Sequence, residues 1–335
     1  MGLTTYPGDS DSKRIARMRA WFDAIGDEPA SIRGTPTAAN ADILVLSGPE
    51  SGDARCALAL GADAKRITCV DTDANAVAAA RAAVPGPNYV VGDVRHVCSS
   101  ARRTLDVLCL DFCQQLTMKS VKYMAQCASY ALREGGLLIA AFSFGREGPT
   151  ARDVVDRQRP LLDKMEPADM SWVDPYGVLL PGTAVTTPEN AQSRYLAFLE
   201  YAKRAFTSFG CAFVVGTMCF DSISYTSRTA DRPGTPMLYV IGRLTRKRSL
   251  GREKGVLHTN PTWLHCTVSA VDAPEQVREV AVTWARCDGS SVAAGLLNLR
   301  EPQVRAWLAV ANRTGWQTPG ERFAEAMANE LESGR

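Results

Sequence analysis

The sequence predicts an α/β fold: a doubly wound, mostly parallel seven-stranded sheet with an antiparallel edge hairpin, plus a small, mainly helical C-terminal domain. Three observations carry this expectation. Strand-like and helix-like runs alternate five times between residues 42 and 142. The strand-like runs, such as Leu105-Asp106-Val107-Leu108-Cys109-Leu110, are almost continuously apolar, as in strands covered on both faces. After one more helix come two further runs, 211–220 and 236–244, which suit an antiparallel pair on the sheet edge.

Taken in order, residues 1–40 form an N-terminal extension with an amphipathic helix at 10–25. Ile15, Met18, Phe22 and Ile25 recur at helical spacing, Lys13 and Arg17 fall on the opposite face, and Ser10 or Ser12 suits the cap. Such a helix either covers the mouth of a ligand cleft or packs on the sheet edge. The main domain occupies 41–245, with strands at 42–46, 66–70, 88–91, 104–110 and 136–142. Helices are expected at 53–60, 73–84, 95–101 and 117–132, and right-handed crossovers then wind both faces of the sheet. Residues 144–187 break the rhythm with Arg146, Glu147, Arg152, Arg157, Arg159 and a proline-rich stretch, an irregular insertion of the kind used as a substrate lid. A helix at about 188–208 precedes the edge pair, and a basic linker, 246–260, separates off a domain at 261–335.

A chain of 335 residues has room for two such domains, and 46% hydrophobic with 22% charged residues is enough apolar material for a real core. The net charge of +2 is too mild for a generally basic nucleic-acid binder, so any basic surface must be local. No run approaches the length of a membrane span, and the start, MGLTTYPGDSDSKR, lacks the apolar core of a signal peptide. Ten cysteines include no Cys-x-x-Cys pair, and three histidines are scattered. That distribution points to buried thiols in a reducing, cytoplasmic setting and to no metal.

Three strand ends carry the binding chemistry. The first strand runs into Ser47-Gly48-Pro49-Glu50-Ser51-Gly52-Asp53, the second into Asp71-Thr72, and the third into Gly92-Asp93-Val94. A glycine-containing turn followed about twenty residues later by an acid is how an open parallel sheet grips a ribose. A carboxylate directly ending a strand can accept both ribose hydroxyls. The alternative for Asp71 and Asp93 is that they cap the helices that follow.

In its order of elements and in these turns, the region 40–245 resembles the class I S-adenosylmethionine-dependent methyltransferases. The resemblance implies S-adenosylmethionine as cofactor, held by Ser47, Gly48, Pro49, Glu50, Gly52, Asp71, Thr72, Asp93, Val94 and Asp111. Asp71 would take the ribose and Asp93 the adenine amine. The turn lacks the family's usual third glycine, and Pro49 stiffens it. After the fourth strand, Leu110-Asp111-Phe112-Cys113-Gln114-Gln115 occupies the family's substrate-facing position. Asp111 is similar to the acid of enzymes that methylate exocyclic amines, and Cys113-Gln114 to the nucleophile motif of cytosine carbon-5 enzymes; the prolines of both are absent. The catalytic candidates are therefore Asp111, Cys113 and, after the fifth strand, Glu147.

The tail segment 291–312 resembles a helix-turn-helix. Ala294 would let two helices approach, Asn298 would take the left-handed turn, and Leu297, Leu299, Val304 and Trp307 would form their core. Pro302 would start the second helix, leaving Arg300, Gln303 and Arg305 to face DNA. The combined expectation is a methyltransferase acting on a DNA base, flipped or single-stranded. A DNA-binding regulator on a non-catalytic scaffold, and a methyltransferase acting on RNA or a small molecule, are the alternatives.

Overall fold

The computed structural model describes residues 11–25, 38–143, 198, 201–215, 222–229, 232–246, 257–258, 264–271, 279–286 and 291–298. Helix α1 (Asp11–Ile25) precedes a strict alternation of β1 (Ile43–Leu46), α2 (Gly52–Ala59), β2 (Ile67–Asp71), α3 (Ala74–Ala83) and β3 (Asn88–Val91). It continues with α4 (Val94–Ser100), β4 (Leu105–Gln115), α5 (Met118–Ala131) and β5 (Leu132–Ser143). The helix starts are built locally. The Asp73 carboxylate accepts from the Asn75 amide at 2.8 Å to cap α3. Thr117 and Ser120 cap α5 reciprocally, each side chain accepting from the other's backbone amide at 3.0 Å. Such caps satisfy amides that the first turn of a helix leaves without partners.

The five strands lie parallel in the order β3-β2-β1-β4-β5. Ile43 of β1 stands opposite Ile67 of β2 on one side and Val107 of β4 on the other. The chain therefore starts mid-sheet, winds outward one way and then the other, and leaves a topological switch between β1 and β4. Next to β5 lies the antiparallel β8 (Arg232–Arg246), and β6 (Cys211–Val215) and β7 (Ser222–Thr229) both run antiparallel to β8. The expected antiparallel edge is thus present: β6 covers the first half of the expected run 211–220, β8 contains 236–244, and β7 is a further strand in the stretch read from sequence as their polar connection.

Successive residues of each strand pass to opposite faces. Ile43, Val45, Val107, Cys109, Ile139 and Ala141 pack with α1 and α2. Leu44, Leu108, Leu110, Leu138, Ala140 and Phe142 pack with α4, α5 and the helical residues 201–208. Phe213 of β6 joins this second layer against Gly242 of β8, where a Cβ would lie 2.3 Å from the ring.

The tail departs from expectation. β10 (Leu264–Val271), β11 (Glu279–Arg286) and β12 (Ser291–Asn298) extend the same sheet outward from β7, giving twelve strands among the described residues where seven are predicted; the two-residue β9 (Leu257–His258) pairs with β6. Ser291–Asn298, read from sequence as the first helix of a helix-turn-helix, is a strand paired antiparallel to β11, with Val280 opposite Leu297 and Val282 opposite Gly295. Gly295 costs a helix interior about 1 kcal/mol relative to alanine, while the β-branched β11 offers a ladder to pair with. Arg300, Gln303 and Arg305, together with the insertion at 144–187, lie outside the described residues.

Candidate functional site

The carboxyl ends of β1, β2, β3 and β4 open into one cleft of about 440 Å³. In open parallel sheets ligands bind at this end, beside the switch point. The turn after β1 is braced from below. The Ser47 amide donates to the Val70 carbonyl at 2.9 Å, and the Ser51 amide closes a turn on the Gly48 carbonyl at 3.0 Å. Ser51 sits in the left-handed region (φ 53°) and is buried, its hydroxyl 3.2 Å from that of Ser47 and 3.4 Å from that of Tyr89. This is the conformation usually given to glycine. A serine fastened by two neighbours thus supplies the tight step without the missing third glycine. Below it, burial pushes the Cys69 thiol up to about 11, so it is not a nucleophile at neutral pH.

Gly92 and Gly48 border the cleft, and a Cβ on either would meet nothing within 4 Å. The Gly92 amide donates to the Asp71 carbonyl at 2.8 Å, which ties the β2 and β3 tips together. Asp71 is half-buried and its carboxylate accepts from the Asp73 amide at 2.9 Å; burial nevertheless lifts its pKa above the usual 3.8. Asp93 is in the opposite state. Hydrogen bonds from the Arg95 side chain hold it well below the carboxylate range, helped by the Arg95 amide at 2.8 Å and the Tyr123 hydroxyl at 2.9 Å. The two capping alternatives therefore separate: Asp93 does cap α4, whereas α3 is capped by Asp73 and not by Asp71. Phe112 meets Tyr123 edge to face at 5.2 Å between ring centres, and both rings border the cleft.

The opposite wall is α1. Lys13 Nζ lies 3.3 Å from Oδ2 of Asp111, which stands in the carboxyl-terminal half of β4 and not after the strand as the sequence suggested. One turn on, Arg17 Nε lies 3.5 Å from Asp53 Oδ2, both side chains being about 95% buried (4% and 6% exposed). Trp21 Nε1, one turn further, donates to Asp53 Oδ1 at 2.8 Å, and the Cys109 thiol approaches the same oxygen at 3.4 Å. Burial raises the Asp53 pKa, and Arg17 works against that rise. Lys13 and Arg17, placed by the sequence on the face opposite Met18 and Ile25, border the cleft, and with Trp21 they form a stripe along α1 directed at Asp111 and Asp53. The stripe was visible as an i, i+4, i+8 spacing, but its acids lie about forty to a hundred residues further along the chain. Ile15 and Phe22 lie outside the residues whose side chains are described.

All ten positions named from sequence for the cofactor line this cleft: Ser47, Gly48, Pro49, Glu50, Gly52, Asp71, Thr72, Asp93, Val94 and Asp111. Of the catalytic candidates, Asp111 lies there, and Cys113 stands two residues further along β4 with its side chain outside those described. Glu147 lies outside the described residues altogether. Beyond those ten, the cleft is lined by Lys13, Arg17, Leu46, Ser51, Asp53, Gly92, Phe112, Gln114 and Tyr123, which the sequence reading did not assign to it. Tyr123, on the first half of α5, carries no local motif that would have marked it.

No protein-family model matches this chain, and no curated protein does. Among solved structures it is similar to M. jannaschii TYW2 in complex with AdoMet, at 9% identity over 73% of this chain and 79% of that one, with a TM-score of 0.39. It is similar to the N-methyltransferase NodS of Bradyrhizobium japonicum WM9 at 9% identity, over 70% of this chain and 95% of that one, with a TM-score of 0.36. Similarity to the Methanococcus jannaschii fibrillarin pre-rRNA processing protein is 13% identity, over 60% of this chain and 66% of that one, with a TM-score of 0.32.

Proposed function

We propose that this chain is an S-adenosylmethionine-dependent methyltransferase. The observation that carries the reading is the set of acids around one cleft: Asp93 just past β3, Asp71 at the end of β2 and Asp111 in the carboxyl-terminal half of β4. Asp71 would accept the two ribose hydroxyls. Asp93, with lone pairs left beyond those taken by Arg95 and Tyr123, would receive the adenine amine beside the Phe112–Tyr123 ring pair. The open positions at Gly48 and Gly92 are cradles in which ligand rather than side chain would sit. When bound, the cofactor supplies an electrophilic methyl group on a cationic sulfur. This chain's contribution would be alignment: Asp111 would orient the acceptor and take up the proton that it sheds.

A DNA base as acceptor was the finer expectation, and it leaned on a helix pair beginning at 291. With Ser291–Asn298 a strand, that support is gone, and the proposal does not extend to DNA.

Calorimetry with S-adenosylmethionine and with S-adenosylhomocysteine tests the reading. The wild type should bind both. Asp71→Ala should weaken both by about tenfold or more, the scale of a lost charge-assisted hydrogen-bond pair. Gly48→Ala should weaken both while leaving the melting temperature unchanged, since its methyl meets ligand rather than protein. Absence of heat with either ligand on the wild type would overturn the assignment.

A further inference from the structure

The face of the sheet turned away from α1 carries charge of one sign. Across α4, the turn that follows it and α5 (94–104 and 118–131), the cations are Arg95, Arg102, Arg103, Lys119 and Lys122, and there is no acid. All of these cations are exposed. The chain as a whole carries only +2, so this basic surface is local. Helix electrostatics explain part of it, since cations near the carboxyl end of α4 complement its dipole. They do not explain Lys119 and Lys122, which stand in the first half of α5, where the dipole already presents positive charge. Neutralisation by acids does not explain them either: among the described residues, the side chains of Arg102, Arg103, Lys119 and Lys122 have no partner. Of the acids on the intervening β4, Asp106 is buried against Arg133 and accepts from the Asp42 amide at 2.8 Å, and Asp111 is directed at Lys13 on the other face.

Two tyrosines of α5 interrupt this surface along its seam with α4. Tyr123 and Tyr130 are two helical turns apart, about 10 Å along the axis. Arg95 lies over the Tyr123 ring, 4.8 Å from its centre, at the lip of the cleft. At the other end, Ser99, Arg102, Arg103 and Tyr130 line a groove of about 380 Å³. There the Arg103 amide donates to the Tyr130 carbonyl at 2.8 Å, which ties the turn to α5. Arg102 and Arg103 make that turn with φ of 49° and 66°. The Tyr130 ring is 40% exposed and is steadied on one side by Phe209, edge to face at 6.4 Å. Each end of the seam thus joins guanidinium to an aromatic ring.

We propose that the seam between α4 and α5 binds single-stranded nucleic acid, with phosphates on Arg102, Arg103, Lys119 and Lys122 and a base on the Tyr130 ring. The inference goes beyond the methyltransferase reading and does not depend on it, because none of these residues lines the cleft. Guanidinium and ammonium groups neutralise a phosphate backbone whatever its sequence, and every base has a face that stacks on an aromatic ring. An acidic peptide would use the cations and leave the ring idle. A duplex keeps its bases stacked within itself. An anionic membrane would call for apolar side chains, and the exposed large ones among the described residues are Val91, on β3, and Tyr130.

Fluorescence anisotropy on the full chain tests this, with a labelled oligouridylate of about fifteen nucleotides. The wild type should bind it, with log affinity falling linearly as log salt rises. Arg102→Gln combined with Arg103→Gln should weaken binding about tenfold and reduce the salt slope by about 1.4, as two lost phosphate contacts require. Tyr130→Ala should weaken binding about tenfold with the slope unchanged, since stacking releases no counterion. A second comparison uses only the wild type and so does not depend on a variant folding. The same strand in a duplex, and polyglutamate of matched charge, should each bind about tenfold or more weakly than the single strand. Oligothymidylate run in parallel distinguishes the sugars, and binding of either single strand supports the proposal. Equal affinity for the duplex or for polyglutamate, an unchanged salt slope in the double variant, or no binding of either single strand by the wild type would overturn it. The adenosyl reading of the cleft stands or falls separately, on the calorimetry described above.

Discussion

Asp93 is held in place before any ligand arrives: it caps α4, pairs with Arg95 at 2.9 Å and receives the Tyr123 hydroxyl. Its neighbour Asp71 has burial working against its charge. The consequence is a pH dependence that belongs to one residue. Ribose hydroxyls donate to an ionised carboxylate, so protonating Asp71 removes an acceptor and affinity falls as pH drops through its pKa. Because that pKa is raised above 3.8, the loss should begin at a higher pH than an ordinary aspartate would give. Titrations of S-adenosylhomocysteine at about pH 7 and about pH 4.5 should show weakening in the wild type and a flat, weak profile in Asp71→Asn. A flat wild-type profile would remove Asp71 from the binding account. Asp93, with its pKa depressed, stays ionised through that window.

Within the elements, β8 shows how a strand's sequence is set by what crosses it. Gly242 lies opposite Leu138 of β5, and the Phe213 ring occupies the space a side chain would need. The ring stacks on Phe206 with centroids 5.4 Å apart and meets Phe198 edge to face at 5.6 Å, so it has little freedom to withdraw. Gly242→Ala should therefore destabilise the protein by about 1–3 kcal/mol, the usual cost of overpacking a filled core. Urea denaturation is the measurement, and Phe213→Leu in the Gly242→Ala background should recover part of the loss. An unchanged denaturation midpoint would mean that the ring moves aside freely. The glycine reads in sequence only as an interruption of an apolar strand; nothing near it in the chain names Phe213 as its cause.

Across the whole molecule, α1 is the element that joins distant parts. It packs against α2 and against β5, β7, β8 and β10, and it sends Arg17 and Trp21 to a single buried acid, Asp53. Removing one partner of a buried ion pair leaves an uncompensated charge, so Arg17→Met should cost about 3–5 kcal/mol near neutral pH. The Asp53 pKa is already raised by burial and should rise further without the guanidinium. A group raised in the folded state contributes stability that is fully present below 3.8 and lost as pH rises through its folded pKa. The Arg17→Met deficit should accordingly be smallest in acid and grow toward neutrality, and Asp53→Asn in the same background should shrink it. Denaturation curves at several pH values decide this, and a deficit independent of pH would exclude Asp53 as its origin.

The sequence by itself determined the parallel core of this protein and the rim of its cleft. Apolar strands flanked by helices can be covered on both faces in few ways, and acids at or just past strand ends lie where an open sheet presents them, so Asp71 and Asp93 were readable from local pattern; Asp111, expected just after a strand ending at 110, lies inside β4. Tertiary structure alone decided the rest. Which face of α1 is buried depends on Asp53 and Asp111, whose counter-charges reach Arg17 and Lys13 only after folding; without them a basic stripe reads as solvated. Whether Ser291–Asn298 is helix or strand depends on the ladder that β11 provides, because a short apolar run with a glycine carries no period strong enough to choose. Local periodicity encodes what each segment can bury, and the partner that buries it is supplied from elsewhere in the chain.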